Sequence, residues 1–141
     1  MSYEFNSKLL GVLTEDIANK WKHPEFANNS ILLFSGIHKH AQKHFDQFAL
    51  GEQSKNYTMK HLREVINEPE YVSYSVKNNG FVFYKKLMEY VAVTIKPTRD
   101  YPDVFCISTI HPSSYKNMMK EKRNEQKIMN KIDEKLASHN D

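Results

Sequence analysis

Residues 71–110 read YVSYSVKNNGFVFYKKLMEYVAVTIKPTRDYPDVFCISTI, and this stretch decides the fold. Within it Tyr71–Val76, Phe81–Lys86, Tyr90–Lys96 and Val104–Ile110 follow a period of two. Each run is rich in Val, Ile, Tyr and Phe, residues that suit a pleated, half-buried surface. Asn78-Asn79-Gly80 separates the first two runs. That is a hairpin signal, because Asn and Gly tolerate the positive φ of a tight turn. Connections this short join antiparallel neighbours. The expectation is a four-stranded antiparallel meander.

Working outward, the segment before the meander has helical spacing. Thr58 is placed to cap a helix over 59–68, with Leu62, Val65 and Ile66 as its apolar face and Pro69 as its stop. Further upstream, Ser35 is placed to cap a helix over Gly36–Leu50. There Ile37, Ala41, Phe45 and Phe48 recur as a buried stripe, and Gly51 fits the position just past the end. Ile31–Phe34 is either a short strand or the run into that helix, and Lys8–Leu13 reads as a short strand. Thr14 opens another helical stretch, with Ile17 and Trp21 on one face and Glu15 and Asp16 in the first turn, where acids suit the helix dipole. Downstream, residues 112–141 carry 7 Lys/Arg and 5 Asp/Glu, with Met118, Ile128, Ile132 and Leu136 as a thin helical stripe. The expected fold is α+β: N-terminal helices packed on a four-stranded antiparallel sheet, followed by a C-terminal helix. In domain terms, residues 1–115 form the globular unit, with an N-terminal extension, and 116–141 form a charged helical tail that packs weakly.

Composition narrows the function classes. A chain of 141 residues is about one domain, and 40% hydrophobic with 12% aromatic residues is too apolar for disorder throughout. The longest apolar run, Ile31–Phe34, is far short of the roughly 20 residues a membrane span needs. The N-terminus shows no basic region followed by an apolar one, so no leader is expected. The single cysteine, Cys106, excludes an internal disulfide framework and a Cys-rich zinc module, and a cytoplasmic protein is expected. Cys106 lies mid-strand among apolar neighbours, which suits inert packing. The net charge of +3 permits an anionic partner without demanding one. There is no phosphate-binding loop, dinucleotide fingerprint or nucleophile elbow.

Seven histidines stand out, three of them in His38-Lys39-His40-Ala41-Gln42-Lys43-His44. His40 and His44 are one turn apart on one helical face, whereas His38 points elsewhere. The pair suits acid–base work near neutral pH, a metal-ligand pair still lacking a third ligand, or plain packing; spacing alone leaves all three open. Lys85 and Lys86 end a strand and point to opposite faces, Lys85 with Phe81 and Phe83, Lys86 with Val82 and Tyr84. Each is an edge charge or a point charge for phosphate. Arg99 sits in the loop before the last strand. Thr109 and His111 share a face of that strand, a hydroxyl and an imidazole that core packing does not explain.

These motifs together bear a likeness. HKHAQKH on a helix, a second helix ending NEPEYV, the Tyr-Lys pair in FVFYKK and a strand closing on a Thr in VFCISTIHP resemble the phage-associated branch of the barnase–EndoU–colicin–RelE-like (BECR) nuclease superfamily over roughly residues 30–115. The resemblance implies a metal-independent endoribonuclease, toxin-like and carried on a phage or mobile element. It would cleave by attack of the ribose 2′-hydroxyl on the adjacent phosphate, with no cofactor. It implies His44 as the helix histidine, with His40 as its replacement, Lys85 as the strand basic residue, or Lys86 if the register is off by one, and Thr109 as the terminal hydroxyl. Tyr84 matches the aromatic before the basic residue, while Lys86, Arg99 and His111 are left to bind substrate. Phe83, Tyr84 and Tyr90 are the candidates for stacking on a base. The implied partners are RNA, single-stranded or tRNA, and an inhibitor or immunity protein, with no membrane involved. The competing expectation is a non-catalytic module that binds nucleic acid or protein.

Overall fold

The computed structural model describes residues 7–34, 59–98, 101 and 103–139. The helix expected over Gly36–Leu50, with His38, His40 and His44, lies outside the described residues, as does Arg99. In chain order the elements are β1 (Ser7–Val12), α1 (Glu15–Lys20), a 3-10 turn (Pro24–Phe26), β2 (Ser30–Phe34), α2 (Met59–Asn67), β3 (Tyr71–Ser75), β4 (Gly80–Lys86), β5 (Tyr90–Pro97), β6 (Val104–Pro112), α3 (Tyr115–Arg123) and α4 (Glu125–His139).

The fold is α+β, and the sheet corrects the expectation of four strands. It has six, in the order β1-β2-β6-β5-β4-β3. β3 to β6 form the expected antiparallel meander. β2 then adds to β6 in parallel, and β1 adds antiparallel to β2. The physical reason lies in Ile31-Leu32-Leu33, which are all buried. A run apolar on both faces fits an interior strand, and such runs show no period-two signal.

Register sorts the side chains by face. Phe81, Phe83 and Lys85 lie opposite Ile95, Val93 and Val91, and Ile110, Ile107 and Phe105 continue this face on β6. Helices α1 and α2 cover it, burying Trp21, Leu62, Val65 and Ile66 in the same core. The Trp21 indole N–H donates to the carbonyl of Val72 at 3.3 Å, which ties α1 to β3. The other face carries Tyr71, Ser73, Val82, Tyr84, Lys86, Ala92, Thr94, Thr109 and His111. α3 lies over the β3 side of it, with Met118 in the core.

The β3–β4 turn is the expected one. Asn79 takes a φ of 52°, and Gly80 lies so close to β5 that a Cβ there would stand 2.2 Å from the carbonyl oxygen of Ile95. Only glycine fits.

The C-terminal segment also departs from expectation. It forms two helices that break at Asn124, and two of its residues enter the core. Met118 is 6% exposed and Ile132 3%. Lys20 pairs with Glu125 at 2.5 Å, and Lys22 with Asp133 at 2.5 Å. The Tyr71 hydroxyl donates to Glu125 at 3.2 Å. α4 therefore crosses the free edge of β3 from one face of the sheet to the other and covers an edge that would otherwise pair with another chain.

Candidate functional site

The residues expected to form the site divide between the two faces. Tyr84, Lys86, Thr109 and His111 share one face; Lys85 is on the other. Lys85 and Thr109 therefore do not converge. The Lys85 ammonium instead donates to the carbonyl of Glu68 at 2.8 Å, just past the end of α2, where unsatisfied carbonyls and the negative end of the helix dipole favour a cation. Tyr84 is 7% exposed under α3 and Phe83 is fully buried, so neither ring is open to stack on a base. Burial, with Glu121 nearby, pushes the Tyr84 hydroxyl up to about 12. Tyr90 is more open and pairs with exposed Tyr115 at a centroid distance of 6.1 Å. Its hydroxyl donates to Glu70 at 3.0 Å, and the other Glu70 oxygen accepts the backbone N–H of Lys86 at 2.6 Å. Cys106 is partly buried and its thiol is pushed up by that burial, which suits packing rather than nucleophilic work.

A second locus, which the sequence expectations missed, brings more chemistry together. It begins at the end of α1. Thr14 caps the helix start, its hydroxyl accepting the N–H of Ile17 at 3.4 Å. At the other end His23 N–H bonds the carbonyl of Ala18 at 2.8 Å and Lys22 N–H that of Asn19 at 3.1 Å. This is a Schellman ending, and Lys22 takes the left-handed position, φ 62°, that glycine usually fills. The reversal sets His23 at the start of the 3-10 turn, where Pro24 has a fixed φ. The His23 Nδ1 lies 2.7 Å from a Glu25 carboxylate oxygen. A carboxylate only accepts, so Nδ1 carries the proton and Nε2 of the neutral ring keeps its lone pair.

Aromatic packing fixes that imidazole. Its ring stacks on Phe26 at 5.3 Å and lies tilted against Tyr74 at 4.8 Å. Phe26 meets Phe105 edge-on at 5.0 Å, and Tyr74 meets Phe81 at 5.2 Å, so both neighbours are rooted in the core. His23, Tyr74, Val76, Asn79, Ile132, Lys135 and Leu136 line a cavity of about 190 Å³. The Tyr74 hydroxyl bonds the Asn79 side-chain oxygen. Burial, then the charge of Glu25, pushes Tyr74 up to about 12, so the phenol stays protonated at neutral pH. The cavity thus joins a carboxylate-held base, a protonated hydroxyl and an exposed lysine. Among the described residues no three His, Cys, Asp or Glu side chains gather as a metal cage. The same residues include no helix long and apolar enough to cross a membrane. The one sequence signal for this locus is His23-Pro24-Glu25, an i, i+2 pair bracketing a stiff residue.

No family model, curated protein or solved structure matches the chain.

Proposed function

We propose that the protein is a metal-independent endoribonuclease of the BECR-like type whose acid–base centre is the His23 cavity. The observation that carries this is the His23–Glu25 pair, an oriented base at 2.7 Å facing a cavity that also holds a hydroxyl and a cation. In this reading His23 Nε2 takes the proton of the ribose 2′-hydroxyl, and the 2′-oxygen attacks phosphorus. The bond to the 5′-oxygen breaks and leaves a 2′,3′-cyclic phosphate. Tyr74 gives its proton to the departing 5′-oxygen, and the imidazolium of His23 then passes its extra proton through water to the Tyr74 phenolate, which restores both groups. Lys135 stabilises the charge that develops on the non-bridging oxygens. The expected meander with α2 packed on it supports the family-level fold, within a larger mixed sheet.

The test is cleavage of a dinucleotide and of single-stranded RNA in excess chelator. His23→Gln is expected to lower the rate about 10²–10⁴-fold, and Lys135→Gln on the order of 10²–10³-fold. Glu25→Gln, which can still accept from Nδ1, should cost less than His23→Gln. Full activity in His23→Gln would remove the cavity from the chemistry. A second reading, a non-catalytic nucleic-acid module, is favoured by the Tyr90–Tyr115 pair beside exposed Lys86 and His111. RNA that the native protein binds and never cleaves would select it.

A further inference from the structure

Helix α4 carries its charges in an uneven way. Its core-facing stripe is buried Ile132 with partly buried Ile128 and Met129. Glu125 and Asp133 are turned to Lys20 and Lys22 of the α1 region and to Tyr71, so these acids are already engaged. Lys127, Lys131 and Lys135 stand four residues apart and are all exposed, with no ion pair to a described residue. Like charges at this spacing destabilise a helix, so fold stability does not account for the row. Glu134 is exposed and three residues from Lys131, a spacing that allows pairing, yet no ion pair joins them. At 3.6 residues per turn, each four-residue step winds about 40° around the axis and advances about 6 Å. The row therefore spirals from the outer side of α4 toward the side that meets the sheet, and its last member, Lys135, lines the His23 cavity. On α3, exposed Lys116, Lys120 and Arg123 form a like row on the side away from Met118.

We infer that Lys127, Lys131 and Lys135 form a track for the phosphate backbone of single-stranded RNA that leads the strand into the His23 cavity. The inference rests on the ribonuclease reading for what happens at the end of the track, and on charge and geometry for the track itself. The row spans about 12 Å along the helix axis, and each of its three lysines can serve as a point charge for one phosphate. A flexible single strand can follow a spiral that turns into a cavity. A duplex groove would need a straighter row.

The experiment separates the two claims. Binding of a fluorescent 20-nucleotide single-stranded RNA is measured by anisotropy at several salt concentrations. Lys127→Gln/Lys131→Gln is compared with Lys60→Gln, an exposed lysine on α2. The double variant is expected to weaken binding at least tenfold at low salt. It should also flatten the slope of log affinity against log salt by about 1.4, or about 0.7 per lysine. Lys60→Gln should leave the slope unchanged. In kinetics the double variant should raise KM for the 20-nucleotide RNA and leave kcat and dinucleotide cleavage as they were. An unchanged slope, or an equal change in Lys60→Gln, overturns the track. A stronger effect on a duplex of the same length overturns its single-strand preference. Failure of the native protein to cleave the dinucleotide counts against the ribonuclease reading alone, because the salt slope still reports on the track.

Discussion

The Lys85 ammonium holds the Glu68 carbonyl at the end of α2, and that contact gives the residue a structural role. Lys85→Met keeps the aliphatic stem and deletes the donor. It is expected to lower stability by about 1 kcal/mol and, on the proposed ribonuclease reading, to leave the rate of RNA cleavage unchanged. Urea denaturation and single-turnover cleavage check the two halves. A variant of native stability that no longer cleaves would return Lys85 to the chemistry. Strand alternation was enough to show that Lys85 and Lys86 face opposite ways, and register bears that out. Which of the two faces Thr109 was not legible, because it depends on the pairing of β4, β5 and β6, three separate stretches of chain. His23 was hidden for another reason. Its partner is two residues away, its aromatic clamp comes from positions 26 and 74, and a lone histidine before a proline carries little signal by itself.

Helix α4 is an integral layer of the fold. Ile132 is 3% exposed and belongs to the core, so Ile132→Ala is expected to destabilise by about 2–5 kcal/mol. Truncation after Asn124 would remove Ile132, both ion-paired acids and the cover over β3, and is expected to give a protein that aggregates through that edge. Thermal unfolding with light scattering reads both outcomes. A truncated chain that unfolds cooperatively at the native temperature would show the helix to be dispensable. The sequence stripe holds only in part: Met118 and Ile132 are buried and Ile128 is partly buried, whereas Leu136 is exposed and Met118 lies on a separate helix. Its thinness suggested weak packing because a stripe reports only one partner of a contact. Ile132 nonetheless joins the core cluster that contains Tyr74, with Val76 packed against it. β2 was ambiguous for a similar reason, since a short apolar run takes its state from what flanks it.

At the scale of the molecule, three tyrosines buried among the described residues make stability fall at alkaline pH. Burial raises all three; Glu125 adds to it at Tyr71, Glu25 at Tyr74 and Glu121 at Tyr84. Tyr74 and Tyr84 reach about 12, while unfolded tyrosine titrates near about 10. Above pH 10 the unfolded chain loses these protons while the folded one keeps them. The folded state then holds more protons, and its stability falls as pH rises. The contribution is intact below about pH 10 and is lost toward pH 12, at a slope of up to about 1.4 kcal/mol per pH unit for each tyrosine. Urea midpoints at pH 8, 10 and 11 should show a plateau and then a drop, shallower in Tyr84→Phe. A midpoint that stays level to pH 11 would contradict the burial of these hydroxyls. The passage of α4 over the β3 edge also bears on how the protein is born. A ribosome releases β1 through β6 before α4, and the wall formed by Ile132, Lys135 and Leu136 meets His23 from more than 100 positions later in the chain. While translation is in progress the nascent chain has an open sheet edge and half a cavity. The nascent chain therefore lacks one wall of the His23 cavity until α4 has been made, and that delay is written into the order of the elements.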